Sequence, residues 1–258
     1  MHGTLAMTAV HDRYLGVTPT RRRSLRESYH WSQCTTLFNN WLSQHPIKEE
    51  HKDPLWATAG AIAILTFASI NTSSLEETWP LRPAGPSDLE WLRLGTGKRA
   101  LWPLVNPLRP GSVFRVMSET FASMHLPIPA KGASGVSVEL VQLCGLDESS
   151  TQENNPYFTV AHGLSQLFEI PKGEDLLGSV LMVLGHMNND FAFCLEKKDP
   201  VALLLLSLWY TKARESKWWI DHRVRCELPA ICAYLQRYHG DNSVIQALIP
   251  WNDIKTLL

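Results

Sequence analysis

The chain has 258 residues, 45% hydrophobic and 19% charged, a balance that excludes a disordered polymer and supports a sizeable core without disulfides or metals. Lys plus Arg number 24 and Asp plus Glu 25, a formal charge of −1, so the chain as a whole lacks the electrostatic grip that phosphate neutralisation gives nucleic-acid binders. The five cysteines, Cys34, Cys144, Cys194, Cys226 and Cys232, are odd in number and form no CxxC pair, which argues against a disulfide framework and for a reducing compartment, cytoplasmic or nuclear.

No basic residue precedes Arg13 and no signal-like apolar core follows the start, so no secretory signal is expected. The first helix is expected over roughly 2–14. The short basic run Arg21-Arg22-Arg23 with Arg26 reads as a solvated turn or helix start. Ser24-Leu25-Arg26-Glu27 fits a capping box and opens a helix over roughly 24–44. Asp53-Pro54 offers a capping carboxylate before a first-turn proline, opening roughly 54–70. The apolar stretch Ala57–Ile70 within it is 14 residues long and holds Thr58, Thr66 and Ser69. It falls short of the about 20 residues a bilayer requires, so membrane insertion is not expected.

A loop rich in Thr, Ser, Glu and Pro covers 71–86. Ser87-Asp88-Leu89-Glu90 repeats the capping box and opens roughly 87–105. A helix over roughly 112–124 follows, then Gly-, Pro-, Ser- and Asn-rich loops at 126–137 and 147–156. Further helices are expected over roughly 156–169, 176–197, 200–216 and 218–238. Asp199-Pro200 caps the third of these, and Val201–Trp209 is apolar nearly all round, the mark of a central buried helix. In the fourth, Val224, Leu228, Ile231 and Leu235 fall on one helix face. No strand alternates cleanly, so the expected fold is all-α: one helical-bundle domain over 1–258, with an apolar central pocket.

Three stretches carry a family resemblance. Met1-His2-Gly3-Thr4-Leu5-Ala6-Met7-Thr8-Ala9-Val10-His11 resembles the first helix of the fungal-specific transcription factor regulatory domain, in the branch of sterol uptake control proteins. Trp79-Pro80-Leu81, Asp88–Leu92 and Gly97-Lys98-Arg99-Ala100-Leu101-Trp102 resemble that branch's middle segment. Asp199–Leu206, Trp209-Tyr210, Trp218-Trp219-Ile220 and Ala230–Leu235 resemble its C-terminal helices. The resemblance spans almost the whole chain and rests on packing motifs, which speak for fold more than for function. It implies an all-α, dimeric ligand-binding domain with a sterol pocket near the C-terminal helices, joined in full-length members to a DNA-binding module of six cysteines and two zinc ions. This chain departs from that pattern: its five cysteines cannot supply six ligands, so no direct nucleic-acid binding is expected of it.

Two functions follow. The first is a cofactor-free enzyme of fungal secondary metabolism, holding a terpenoid, polyketide or alkaloid-type substrate and performing acid/base-assisted cyclisation, epoxide opening or isomerisation. The alternative is a stand-alone regulatory domain that senses a sterol-like ligand and acts in transcription through a zinc-cluster partner. Either would be an intracellular homodimer that binds a hydrophobic small molecule, and neither needs a cofactor or metal.

The candidate catalytic groups are His186 and Asp190, four apart on the expected helix 176–197 and therefore on one face, with Asp12 and Glu119 behind them. Candidate substrate contacts are Met117, Met124, His125, Met182, Met187 and Phe191, since thioethers and rings adapt to irregular apolar guests. Trp209, Tyr210, Trp219 and Tyr234 complete the set, offering ring faces to a cation and hydroxyls to an oxygen. Arg223 and Glu227 read as an ordinary surface pair. His222 and Cys226, at i and i+4, are too few for a metal site. Gly95-Thr96-Gly97-Lys98 lacks the glycine spacing of a phosphate loop.

Overall fold

The structure, a computed structural model, describes residues 1–17, 23–44, 46–70, 74–124, 127–171 and 176–255. Among them are fourteen α-helices, one 3-10 helix and no strand. No helix among the described residues is long and apolar enough to cross a membrane. The chain divides into two compact units, residues 1–73 with 90–123, and residues 74–89 with 124–258. The basic residues Arg21 and Arg22 lie outside the described residues.

The first unit contains α1 (His2–Tyr14), α2 (Leu25–Leu42), α3 (Glu49–Phe67), α4 (Glu90–Ala100), α5 (Trp102–Val105), the 3-10 helix Val113–Met117 and α6 (Ser118–Ser123). The Ser24 hydroxyl caps α2 by accepting the Glu27 N–H at 3.1 Å, as its sequence signature requires. Gly3 permits the close approach of α1: a Cβ there would stand 3.1 Å from Ala61 Cβ and 3.3 Å from Cys34 Sγ. Leu55, Trp56, Ala59, Leu101 and Val105 form a buried cluster, flanked by Phe38, Trp41, Trp102 and Phe121. Trp102 meets Trp56 and Phe121 edge-on, at 5.4 and 5.2 Å between centroids, the arrangement ring quadrupoles favour.

Asp53 does not cap α3 as expected. The helix starts earlier, at Glu49, and carries Pro54 inside it. The Asp53 carboxylate instead accepts from Arg109 at 2.8 Å, the Ser112 hydroxyl at 2.7 Å and the Val113 N–H at 2.9 Å. Burial raises its pKa, but these donors outweigh burial and hold it below the usual carboxylate range. The second expected capping box, Ser87 with Glu90, does not open a helix at 87: helix begins only at Glu90, and the residues before it form a turn in which Asp88 accepts from the Gly85 N–H and pairs with Arg82.

The second unit contains α7 (Val138–Cys144), α8 (Phe158–Glu169), α9 (Leu177–His186), α10 (Asn189–Glu196), α11 (Pro200–Ala213), α12 (Trp218–Tyr238), α13 (Ser243–Leu248) and α14 (Trp251–Lys255). Its centre is α11, which packs against α8, α9, α10, α12 and α13. Leu203, Leu204, Leu205 and Leu206 are all fully buried, as the apolar run at 201–209 implies. Asp199 caps α11 by accepting the Ala202 N–H at 2.9 Å, and takes the Tyr157 hydroxyl at the same distance. Trp209 Nε1 donates to the Val180 carbonyl at 3.1 Å, tying α11 to α9. The expected helix over 176–197 is two helices. The break lies at Met187 and Asn188, where the Asn188 side chain accepts the Phe191 N–H and opens α10.

Two substitutions measure these supports. Leu204→Ala is expected to lower unfolding stability by about 2–5 kcal/mol, because it leaves a cavity in a fully packed site. Ser24→Ala is expected to cost about 1 kcal/mol by orphaning the Glu27 N–H. Urea unfolding followed by circular dichroism reads both, and equal losses would contradict the burial difference between the sites.

Candidate functional site

The most deeply buried polar chemistry in the second unit joins α11 to α12. Tyr210 of α11 is fully buried, and Arg223 and Glu227 of α12 are nearly so. The Tyr210 hydroxyl donates to Glu227 Oε2 at 2.6 Å. Arg223 pairs with Glu227 Oε1 from one helical turn away, so each carboxylate oxygen has a donor. Burial pushes the Glu227 carboxyl up, opposed by the Arg223 charge and the Tyr210 hydrogen bond. Burial and the Glu227 charge push the Tyr210 hydroxyl well above its ordinary value. A carboxylate satisfied on both oxygens is a clamp between helices rather than a free acid.

The sequence reading of Arg223 and Glu227 as a surface pair is therefore corrected: both are buried. Their positions carry the signal, because Glu227 projects beside Val224, Ile220 and Ile231 on the apolar side of α12. Tyr210 is a partner of this clamp, with its hydroxyl already committed.

The acid/base pair expected at His186 and Asp190 is divided between helices. His186 is the half-buried last residue of α9, with its carbonyl accepting the Thr159 hydroxyl at 2.9 Å. Asp190 stands exposed in the first turn of α10. The chain break at Met187 and Asn188 removes the shared helix face on which the pairing rested. Glu119 is exposed on α6, and Met117 is exposed at the end of the 3-10 helix. Asp12 is half-buried on α1, while its neighbour Arg13 is buried and pairs with Glu27 at 2.9 Å. His125 lies outside the described residues.

Among the apolar candidates, Met187, Phe191 and Trp209 are fully buried in the second unit. Met124, Met182, Trp219 and Tyr234 are half-buried. Met124 lies against α9, since a Cβ on Gly178 would meet its Cγ at 3.5 Å. Gly178 and Met182 are one turn apart, so both methionines belong to one face of that helix. Six of the ten α9 residues are Leu, Val or Met, yet only Val180 and Val183 are buried. Leu177, Leu181, Met182 and Leu184 remain half-buried, leaving apolar area partly in water. The Tyr234 and Tyr238 rings lie 4.7 Å apart, tilted by 45°, with Lys198 Nζ 5.6 Å from the Tyr234 centroid.

No group of three or more His, Cys, Asp or Glu among the described residues is placed to hold a metal ion. Comparison with known proteins returns no match: no family model, no curated protein and no solved structure is significantly similar to the chain.

Removing Arg223 leaves burial of Glu227 opposed by the Tyr210 hydrogen bond but by no counter-charge on the clamp. The folded-state pKa then lies above the unfolded one, so the folded chain holds a proton that the unfolded chain releases. The sign follows: stability is kept at low pH and lost as pH rises through the folded value. Arg223→Met is expected to cost about 3–5 kcal/mol at neutral pH, and distinctly less in acid, where Glu227 is protonated. Denaturant midpoints measured across that pH range check it, and a pH-independent loss would remove Glu227 as the cause.

Proposed function

We propose that the chain is a non-catalytic ligand-binding regulatory module of the fungal transcription factor type, responsive to a sterol-like hydrophobic molecule and acting in transcription through a DNA-reading segment or partner. The observation that carries this reading is how the polar groups of the second unit are used. Glu227, Arg223 and Tyr210 satisfy one another, and Asp199 is occupied by its helix cap and Tyr157. His186 and Asp190 sit on separate helices, the latter in open solvent. General acid/base catalysis asks for a group aimed at the reacting atom, and these groups are arranged for rigidity.

The half-buried Leu and Met residues of α9, with Met124 beside them, supply an adaptable apolar wall for such a ligand. In this reading the ligand completes an apolar pocket, orders that wall and thereby sets how a homodimer presents itself to its partner. The sequence resemblance to the sterol uptake control branch points to the same ligand class.

The test incubates purified protein with a panel of sterols, terpenoids and polyketides. It follows melting temperature and intrinsic tryptophan fluorescence, and recovers the small molecule for mass analysis. A saturable rise in melting temperature for a sterol-like compound, recovered unchanged, is the expected result. Ligand binding at 100 times Kd stabilises by about 2.7 kcal/mol, a readily measured shift. Time-dependent conversion of any bound compound would establish the catalytic alternative instead. Met182→Asp should abolish the shift while leaving the helical spectrum unchanged.

A further inference from the structure

The basic run Arg21-Arg22-Arg23 with Arg26 surrounds one hydroxyl, that of Ser24, and the ligand site proposed above makes no use of it. Ser24 is exposed at the head of α2 in the first unit, with an extended backbone at φ −76° and ψ 158°. Its hydroxyl oxygen accepts the Glu27 N–H at 3.1 Å. The next residue, Leu25, is 91% exposed, an apolar side chain that the unit leaves in water. Arg26 is exposed as well. Arg23 is committed to the fold: it donates to the Ser69 hydroxyl at 2.6 Å and lies 4.0 Å from the centroid of the Trp31 ring. Arg21 and Arg22 lie outside the described residues and enter through the sequence alone.

A kinase that selects arginine-flanked serines reads its substrate by charge and shape. Guanidinium groups upstream of the hydroxyl meet carboxylates in its cleft, and an apolar residue just after the hydroxyl fills a pocket. The acceptor must also be reachable, because its oxygen has to line up with the γ-phosphorus of ATP. Arginine stands three residues before a serine at Ser24, Ser112 and Ser118. Ser112 is followed by the apolar Val113, but it is buried and its hydroxyl donates to Asp53 at 2.7 Å. Ser118 is exposed but is followed by Glu119, whose charge opposes an acidic cleft. Of the three, Ser24 joins a pair of upstream arginines to an exposed acceptor and an exposed apolar residue after it.

We propose that Ser24 is a phosphorylation site for an arginine-directed serine kinase. The Ser24 Oγ attacks the γ-phosphorus of ATP, and an O–P bond forms. The bond from that phosphorus to the β-phosphate oxygen breaks, ADP leaves, and the hydroxyl proton passes to the kinase's catalytic carboxylate. Leu25 and Arg26, the residues that must follow Ser24 into the cleft, are already in water, so opening the first turn of α2 that far uncovers no core. The product adds about −1.5 to −2 charge at neutral pH at the positive end of α2, and a phosphate oxygen remains to accept the Glu27 N–H. The site lies in the first unit and does not depend on the ligand proposed for the second.

The test incubates the full chain with magnesium-ATP and the catalytic subunit of cyclic-AMP-dependent protein kinase, and maps phosphate at short times by peptide mass analysis. Ser24 is expected to be modified at least about tenfold faster than Ser112 or Ser118. Arg21→Ala combined with Arg22→Ala is expected to slow that rate by about tenfold or more. Leu25→Glu is expected to slow it too, with the helical circular dichroism spectrum of each variant unchanged. No phosphate on Ser24, a Ser24 rate no higher than that of Ser118, or a rate indifferent to both the arginine pair and Leu25 would overturn the proposal.

Discussion

A helix buried along most of its surface sets the terms for the second unit. The four leucines at 203–206 are withdrawn from water completely, each contributing about 1.5–3 kcal/mol of transfer free energy. Only Pro200, Val201, Leu208, Thr211 and Lys212 keep partial contact with water, so the helix has little wet face on which to dispose of polar groups. Its N-terminal donors must find Asp199, its indole must find the Val180 carbonyl, and its tyrosine hydroxyl must find Glu227. Each of those bonds fixes a neighbouring element, so the placement of α9 and α12 follows from the satisfaction of α11. Glu227 in turn demands a cation, and Arg223 supplies it from the same helix face.

The first unit solves its electrostatics in a similar way at two places. Glu27 is nearly fully buried and is met by Arg13, with Arg23 3.6 Å from it. Asp53 draws three donors from residues about sixty positions along the chain, closing the segment around Arg109 onto α3. A buried carboxylate without such donors would cost several kcal/mol. Lys98 is the contrast. Its Nζ lies 4.6 Å from the centroid of the Trp56 ring, with no carboxylate pairing with it among the described residues.

Element type was legible in the sequence wherever caps and periodicity agreed. The spans 2–14 and 218–238 match α1 and α12, and Ser24 and Asp199 cap as their residue types require. Prediction failed where a polar side chain had a better partner at a distance. Asp53 has capping spacing before Pro54, but long-range donors claim its carboxylate, and no local pattern reveals those donors. The short helices α7 and α13 leave little periodic signal, since Ser137 and Asn242 cap only seven and six residues; packing of Leu140, Cys144 and Ile245 stabilises them. At the site, periodicity placed Met187, Phe191 and Trp209 in apolar surroundings. The helix break at Asn188 was the signal missed, since an Asn-Asn-Asp run can begin a helix as readily as decorate one.

That break has a functional consequence. A continuous helix over 176–197 would set His186 and Asp190 one turn apart and give the unit an acid/base pair. The Asn188 cap instead ends α9 at His186 and restarts the chain as α10 with Asp190 turned to solvent. What α9 retains is apolar area that its neighbours only half cover. Apolar surface in that state is stabilised by whatever excludes the remaining water, and flexible methionine lining tolerates guests of irregular outline. The second unit thus combines mutually satisfied polar clamps, which fix its frame, with apolar residues on α9 that would gain free energy from any group that excludes the remaining water.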